Sequence, residues 1–404
     1  MRERTGRMMV SMVLVTVMLL CATVQPVMAW GGLTHYSINR EAGRNSIEEL
    51  SAAVAPDVLH NFPYGISGLL GAFVHEERPD VLYGPLGFFL CNVSVDGSQE
   101  RWATGWMTHT TADRSAHGTY LDGSPYLRDN NYISAVGADT LPEHIVAEIA
   151  GDILSYWLHE GTMPEYTVVY PDQVNASFAG YDSFCETNYS GDYDPDHYLE
   201  AFESFLAMTW VEQVVIDIRQ DKRPQFTDWT FLVWAWRNYQ EPYSRYYQCA
   251  IDNVTEVNCS QTVPQCILPA SIWGQVYEQS TDGPGVSPVM PNVHQVEYTK
   301  IKMDVGRQLI DEGLVIPHRK FDAKTGAVTI SLEQTASDRK LARVYKQYLG
   351  ETYKKRTGKQ VKFFDDITSR RTHVTVRDVK EDYPELYRKL IEKGVVPENQ
   401  VGRG

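Results

Sequence analysis

The chain has 404 residues, an ordinary hydrophobic content of 43% and a net charge of -15, which is enough apolar material for a core and enough length for two or three modules. The charge is uneven: Lys and Arg number 11 against 36 Asp and Glu between Trp30 and Thr299, but 23 against 15 from Lys300 onward. An acidic body argues against general nucleic-acid binding by charge attraction, although it leaves room for a nuclease whose metal ions supply the local positive field.

Residues 1–29 have the pattern of a signal peptide. Arg2, Arg4 and Arg7 open it, Met8 to Ala22 is apolar, and Val27-Met28-Ala29 ends in a small residue, so cleavage is expected before Trp30 and the product is expected to be secreted or periplasmic. A lipidated Cys21 and an uncleaved anchor are the alternatives. Cys91, Cys185, Cys249, Cys259 and Cys266 follow the leader. In an oxidising compartment they predict one or two disulfides and leave a thiol over, without fixing the pairing. Acceptor triplets for glycosylation occur at Asn92, Asn175, Asn188, Asn253 and Asn258, a pattern that is common by chance.

In chain order, His35 to Glu41 predicts a helix, and Ser46 with Glu49 a capping box for a short second one. Asn61 to Leu70 and Tyr120 to Asp139 are rich in turn residues and predict loops. Glu100 to Ala116 predicts an apolar helix. Thr140, Pro142 and Glu143 predict the start of another that runs to about Leu158. Ser177 to Pro195 is expected to be loop, His197 to Arg219 is the longest clean helical pattern, and Arg223 to Tyr239 predicts a second, Trp-rich helix. Thr281 to Pro291 has the composition of a linker. Beyond it come helices at Tyr298 to Glu312 and Leu341 to Lys359 and a hairpin over Arg319 to Leu332. The segments RQLIDEGLVIP (307–317) and RKLIEKGVVPE (388–398) are either a twofold repeat of helix, Gly stop and exit strand, or two helices ended alike by Gly. The expected fold is mainly α, with a smaller α+β C-terminal module.

Polar residues interrupt two of these helices at metal-ligand spacing. His109 and Asp113 lie one turn apart, with His117 one further turn along; His144 and Glu148 repeat the step on another helix. Residues four apart stack on one helix face, and imidazole with carboxylate suits Zn²⁺. Trp30, His35, Asp57 and His75 join them as outliers in apolar surroundings. No Gly-x-Ser-x-Gly elbow and no Gly-rich phosphate loop competes with a metal mechanism.

With WGGLTH at 30–35, APD at 55–57, VHEERPD at 74–80, THTTADRSAHG at 108–118 and HIVAE at 144–148, the chain resembles the zinc-dependent phospholipases C. That group also includes the single-strand-specific S1/P1-type nucleases and the catalytic domain of glycosylphosphatidylinositol-specific phospholipase D. WGGLTH is most similar to the nuclease branch, and the four-residue step from Asp113 to His117 to the phospholipase D branch. The resemblance implies a multi-helix phosphodiesterase domain over residues 30–280, ahead of a basic α+β module at 292–404. It implies about three zinc ions. Trp30, through its free amine and carbonyl, would bind the first with His35 and Asp113; Asp57, His75, His109 and a bridging Asp113 would bind the second; His117, His144 and Glu148 the third. His60 and Asp80 are alternatives near Asp57 and His75, and Asp152 and His159 are supporting or structural candidates.

The chemistry so implied is attack of a metal-activated water in line at phosphorus, with Asp57 and Asp113 as the catalytic carboxylates. The expected substrate is a glycerophospholipid head group reached from the membrane surface, with Phe62, Tyr64 and Phe73 available as contacts. The alternatives are a single-strand nuclease using aromatic platforms and a zinc-stabilised binding protein without catalysis. The C-terminal module contacts anionic lipid or polymer on one reading and is a solvated structural domain on the other.

Overall fold

The computed structural model describes residues 30–59, 85–117, 131–138, 140–185, 191, 193–217, 227–260, 293–361, 363 and 373–397. The protein is predominantly α-helical with a small three-stranded sheet. Its helices are α1 (Gly32–Glu41), α2 (Ile47–Ala52), the single turn α3 (Ala55–Val58), α4 (Pro85–Val93), α5 (Gly97–His117), α6 (Tyr132–Val136) and α7 (Leu141–Leu158). Strand β1 (Tyr166–Val169) then leads into α8 (Pro171–Cys185), α9 (Pro195–Ile216) and α10 (Thr230–Thr255). The remainder is α11 (Val293–Asp311), β2 (Val315–Asp322), β3 (Ala327–Gln334), α12 (Asp338–Thr357), α13 (Val376–Asp382) and α14 (Pro384–Glu392). No described helix is long and apolar enough to cross a membrane.

Local chemistry sets most helix starts. The Glu49 amide donates to Ser46 Oγ at 3.2 Å while the Glu49 carboxylate accepts from the Ser46 amide at 3.3 Å, the reciprocal box that begins α2. Asp96 Oδ1 accepts from the amides of Ser98 and Gln99 at 2.8 and 2.9 Å and starts α5 three residues ahead of the expected Glu100. Glu143 accepts from the Thr140 amide at 2.9 Å and begins α7. Helix α5 is the central element, packed by α2, α4 and α10. At Gly105 a Cβ would come within 2.3 Å of the Glu49 carbonyl, so only glycine lets α2 and α5 cross with backbones in contact.

Three expectations are corrected. Ser177 to Pro195 is not a loop throughout: α8 runs to Cys185, because Val174, Phe178 and Tyr181 place a buried stripe at helical spacing. The Trp-rich helix begins at Thr230 rather than Arg223 and continues through Pro242 to Thr255. Packing of Tyr243, Tyr246, Tyr247 and Ala250 into the core outweighs the loss of one helical hydrogen bond at the proline. Within the expected loop 120–139, residues 132–136 form α6, capped by Asn131. The expected loop 61–70 and linker 281–291 lie outside the described residues.

The two similar C-terminal segments end α11 and α14 alike. Gly313 and Gly394 adopt φ of 63° and 68°, and the residues after them, Leu314 and Val395, donate back to Leu309 and Leu390 at 2.9 Å. The first segment continues into β2; residues 395–397 form no strand. Similarity therefore reflects a shared Gly stop in left-handed geometry.

The predicted hairpin is present as β2 and β3, with Val315 opposite Gln334 and Asp322 opposite Ala327. Strand β1 pairs antiparallel with β3, Tyr166 opposite Ser331, giving the order β1-β3-β2. Thus a strand from the first half of the chain completes a sheet from the C-terminal part. Val168 in β1 donates to Ser51 Oγ at 2.8 Å and accepts from the Trp102 indole at 2.9 Å, which ties the sheet to α2 and α5. The Arg319 guanidinium on β2 grips Glu203 of α9 with two hydrogen bonds, at 2.5 and 2.8 Å. A continuous apolar core runs from Trp30 through the α9–α11–α12 packing to Val396. A disulfide joins Cys91 at the end of α4 to Cys259 just past α10. Cys249 is a free exposed thiol; the side chain of Cys185 and all of Cys266 lie outside the described residues.

Candidate metal centre

Helix α1 begins immediately after Trp30 and Gly31, so His35 sits one turn into it, its amide bonded to the Gly31 carbonyl at 3.1 Å. Asn39 fixes that helix against α5: its amide donates to the His35 carbonyl at 3.0 Å and its oxygen accepts from Thr108 Oγ1 at 2.9 Å. Helix α5 then presents His109 and Asp113 on one face, as their four-residue spacing requires. The single turn α3, opened by Pro56, carries Asp57 to the same place.

The result is a buried cluster. His35 Nε2 lies 3.2 Å from Asp113 Oδ1, and His109 Nε2 lies 3.2 Å from Asp113 Oδ2 and 3.6 Å from Asp57 Oδ1. The two imidazoles stack at 4.1 Å. His35, His109 and Asp113 are fully enclosed and Asp57 nearly so. One ligand atom from each of His35, His109 and Asp113 falls within 4.8 Å of the others. The Trp30 backbone nitrogen donates to Asp113 Oδ1 at 3.2 Å, and its indole donates to the Ala112 carbonyl and Ser115 Oγ, each at 3.1 Å, while its ring stacks on Tyr132.

The donor set fits a divalent cation such as zinc: two imidazole nitrogens and a carboxylate, with a second carboxylate beside them. His109 is prepared as a ligand, because its Nδ1–H donates to the Ala53 carbonyl at 2.8 Å and leaves the Nε2 lone pair facing the cluster. Nδ1 of His35 has no hydrogen-bond partner among the described residues despite complete burial, and Nε2 faces the Asp113 carboxylate, an arrangement that a bound cation satisfies. Burial and the neighbouring His109 lower the pKa of His35, so it is neutral and able to ligate. Burial opposes charge on His109 too, but Asp113 and Asp57 outweigh it and raise its pKa to about 9. Desolvation of Asp113 is likewise overcome by the two histidines, which hold its carboxyl well below the ordinary value. Without a metal, the cluster is therefore a buried imidazolium–carboxylate pair.

The other expected ligands behave differently. His75, with the alternatives His60 and Asp80, lies outside the described residues, as does the side chain of His117, whose backbone ends α5. His144 and Glu148 sit one turn apart on α7 as expected, in direct contact through Nε2 and Oε1. The second Glu148 oxygen accepts from Lys302 Nζ of α11 at 3.0 Å. Next on the same face of α7, Asp152 accepts from the Thr34 amide and hydroxyl, both at 2.8 Å. It anchors α1 rather than facing solvent. Glu212 of α9 is buried nearby, and burial together with Asp152 raises its pKa to about 8. His159 pairs with Glu41 at 2.8 Å, away from the cluster.

Among the described residues there is one candidate metal site, made of His35, His109 and Asp113. Lys302 and Glu212 were not anticipated from sequence, although a signal existed. Tyr298, Lys302, Val305 and Leu309 follow helical spacing, so a lysine occupies a core-facing position. Likewise Phe205, Thr209, Glu212 and Ile216 place a carboxylate on the buried face of α9.

No protein-family profile matches the sequence. No solved structure matches it. A protein of Archaeoglobus fulgidus described as uncharacterized is 33% identical over 117 residues, which are 28% of this chain. The chain spans about a third of the length of that relative, 32%. The buried His/His/Asp cluster supports a metal-dependent enzyme in general terms.

Proposed function

We propose that this protein is an exported zinc-dependent phosphodiesterase that hydrolyses glycerophospholipids as a phospholipase C does. The observation that carries the reading is the burial of His35, His109 and Asp113 together, with Asp57 3.6 Å from His109 Nε2. Zinc bound there supplies Lewis acidity that brings the pKa of water from about 16 toward 7. The chain's own part is to hold the ligands without rearrangement: Ala53 orients His109, Asn39 braces α1 against α5, and Trp30 locks the start of α1 onto Asp113. Asp57 is placed to orient the attacking water and accept its proton. Through the resemblance of its four-residue step from Asp113 to His117 to the phospholipase D branch, the chain is read as acting on a lipid phosphodiester in preference to nucleic acid. The leader pattern at residues 1–29 supports export.

The test uses the chain beginning at Trp30, assayed on phosphatidylcholine, phosphatidylinositol and single-stranded DNA before and after chelation. Release of a phosphorylated head group, lost on chelation and restored by zinc, is expected. Nucleotide release instead would make the protein a nuclease, and zinc retention without turnover of any substrate would make it a zinc-stabilised binding protein.

A further inference from the structure

The resemblance puts a zinc between His144 and Glu148, and that position does not fit one. Glu148 is 3% exposed and Lys302 3%. One Glu148 oxygen is against His144 Nε2 and the other accepts from the Lys302 ammonium. A metal there would have to share the carboxylate with a buried ammonium, which the Asp113 cluster does not contain. Among the described residues His144 Nδ1 has no partner, whereas the ligand His109 has its Nδ1 fixed on a backbone carbonyl. For a metal held between His144 Nε2 and Glu148, Nδ1 is the nitrogen that would need an anchor, and none of the described residues supplies one.

The ammonium is at home in this place. Glu148, Glu212, Asp152 and Asp57 all act on it favourably, outweighing its burial, and the rings of Tyr298 and Phe205 lie 4.4 and 5.8 Å from Nζ. The helix that delivers it is fixed. A Cβ at Gly306 would come within 1.7 Å of the Ser204 carbonyl, so α11 lies backbone to backbone on α9. Arg356 of α12 holds Asp304 at 2.8 Å. A divalent ion on Glu148 would share one carboxylate with a buried ammonium, and two cations at that separation in a low dielectric repel strongly.

We infer that Lys302 is the resident cation at His144 and Glu148, so that a side chain of α11 stands where a further metal would sit and the C-terminal helices are an integral wall of the site. The inference rests on reading His35, His109 and Asp113 as the metal centre. It also gives the acidic side chains gathered between α7 and α9 a cation supplied by the chain itself.

The experiment counts zinc by plasma mass spectrometry in the full chain, after saturation and desalting, in the native protein, His144→Ala, Lys302→Met and the double variant. Equal zinc in the native protein and His144→Ala is expected, with one equivalent more in Lys302→Met and a return to the native count in the double variant. Loss of one equivalent in His144→Ala, or no gain in a folded Lys302→Met, overturns the inference. Should Lys302→Met not fold, the His144→Ala comparison decides alone. Absence of phosphodiesterase activity would refute the proposed function without changing any of these counts, so the two failures are distinguishable.

Discussion

Zinc binding should be tied steeply to pH through His109. In the metal-free protein its pKa stands at about 9 because Asp113 and Asp57 face it in a buried pocket. At pH 7 the ring is therefore protonated, and zinc must displace that proton. Two pH units of displacement cost about 3 kcal/mol at 1.36 kcal/mol per unit. Affinity should rise roughly tenfold per pH unit up to about 9 and then level off, with one proton released per zinc below that point. Chelator competition from pH 6.5 to 9.5, with calorimetry in buffers of different ionisation enthalpy, measures both quantities. Asp57→Asn removes one of the two charges that raise His109 and should move the plateau to lower pH. The same pair governs stability without metal. A raised histidine pKa contributes stability that is complete below 6.5 and lost as pH rises through about 9. The depressed Asp113 contributes above 3.8 and loses its contribution as pH falls. Chelated protein should therefore melt at lower temperature as pH goes from 6.5 to 9, while zinc-saturated protein does not. Affinity independent of pH across this range would refute the account of His109 as a buried imidazolium that the metal displaces.

Asp113→Asn keeps the side-chain size but removes the carboxylate charge shared by His35, His109 and the Trp30 nitrogen. Loss of an outer partner of a ligand costs about 10- to 100-fold in metal affinity, and a direct ligand should cost more, as read by competition with a chromogenic chelator. Gly306→Ala forces a methyl against the Ser204 carbonyl and should destabilise by about 1–3 kcal/mol or more, with a lowered melting temperature as the readout. Replacing Cys91 and Cys259 by serine opens a link of sequence separation 168 and should cost about 2–5 kcal/mol in denaturant unfolding; an unchanged midpoint would mean the bond contributes nothing to folding.

The helices of this protein were legible where hydrophobic period and capping chemistry agree. Ser46 with Glu49, and Thr140 with Glu143, mark starts that the structure keeps. Where they disagree, packing decided. Pro242 reads as a break, yet the tyrosines beyond it bury and carry α10 onward to Thr255. Residues 177–185 have turn-prone composition, yet Phe178 and Tyr181 have a core to enter. Strand β1 has four residues and too little pattern to stand out; it exists because β3 offers an edge and Ser51 and Trp102 hold its amide and carbonyl.

The site divides in the same way. The spacing of His109 and Asp113 on one helix is a property of helical geometry, so sequence alone determined that these side chains share a face. Convergence with His35 and Asp57 depends on how α1 and α3 pack against α5, and whether His144 and Glu148 face a metal or a lysine depends on a helix more than 140 residues away. A charge read in sequence has no partner until the fold supplies one. Glu148 was legible as a carboxylate one turn from a histidine, and only the tertiary structure brought Lys302 to 3.0 Å from it, because burying α11 on α9 takes that ammonium out of water and requires a carboxylate beside it.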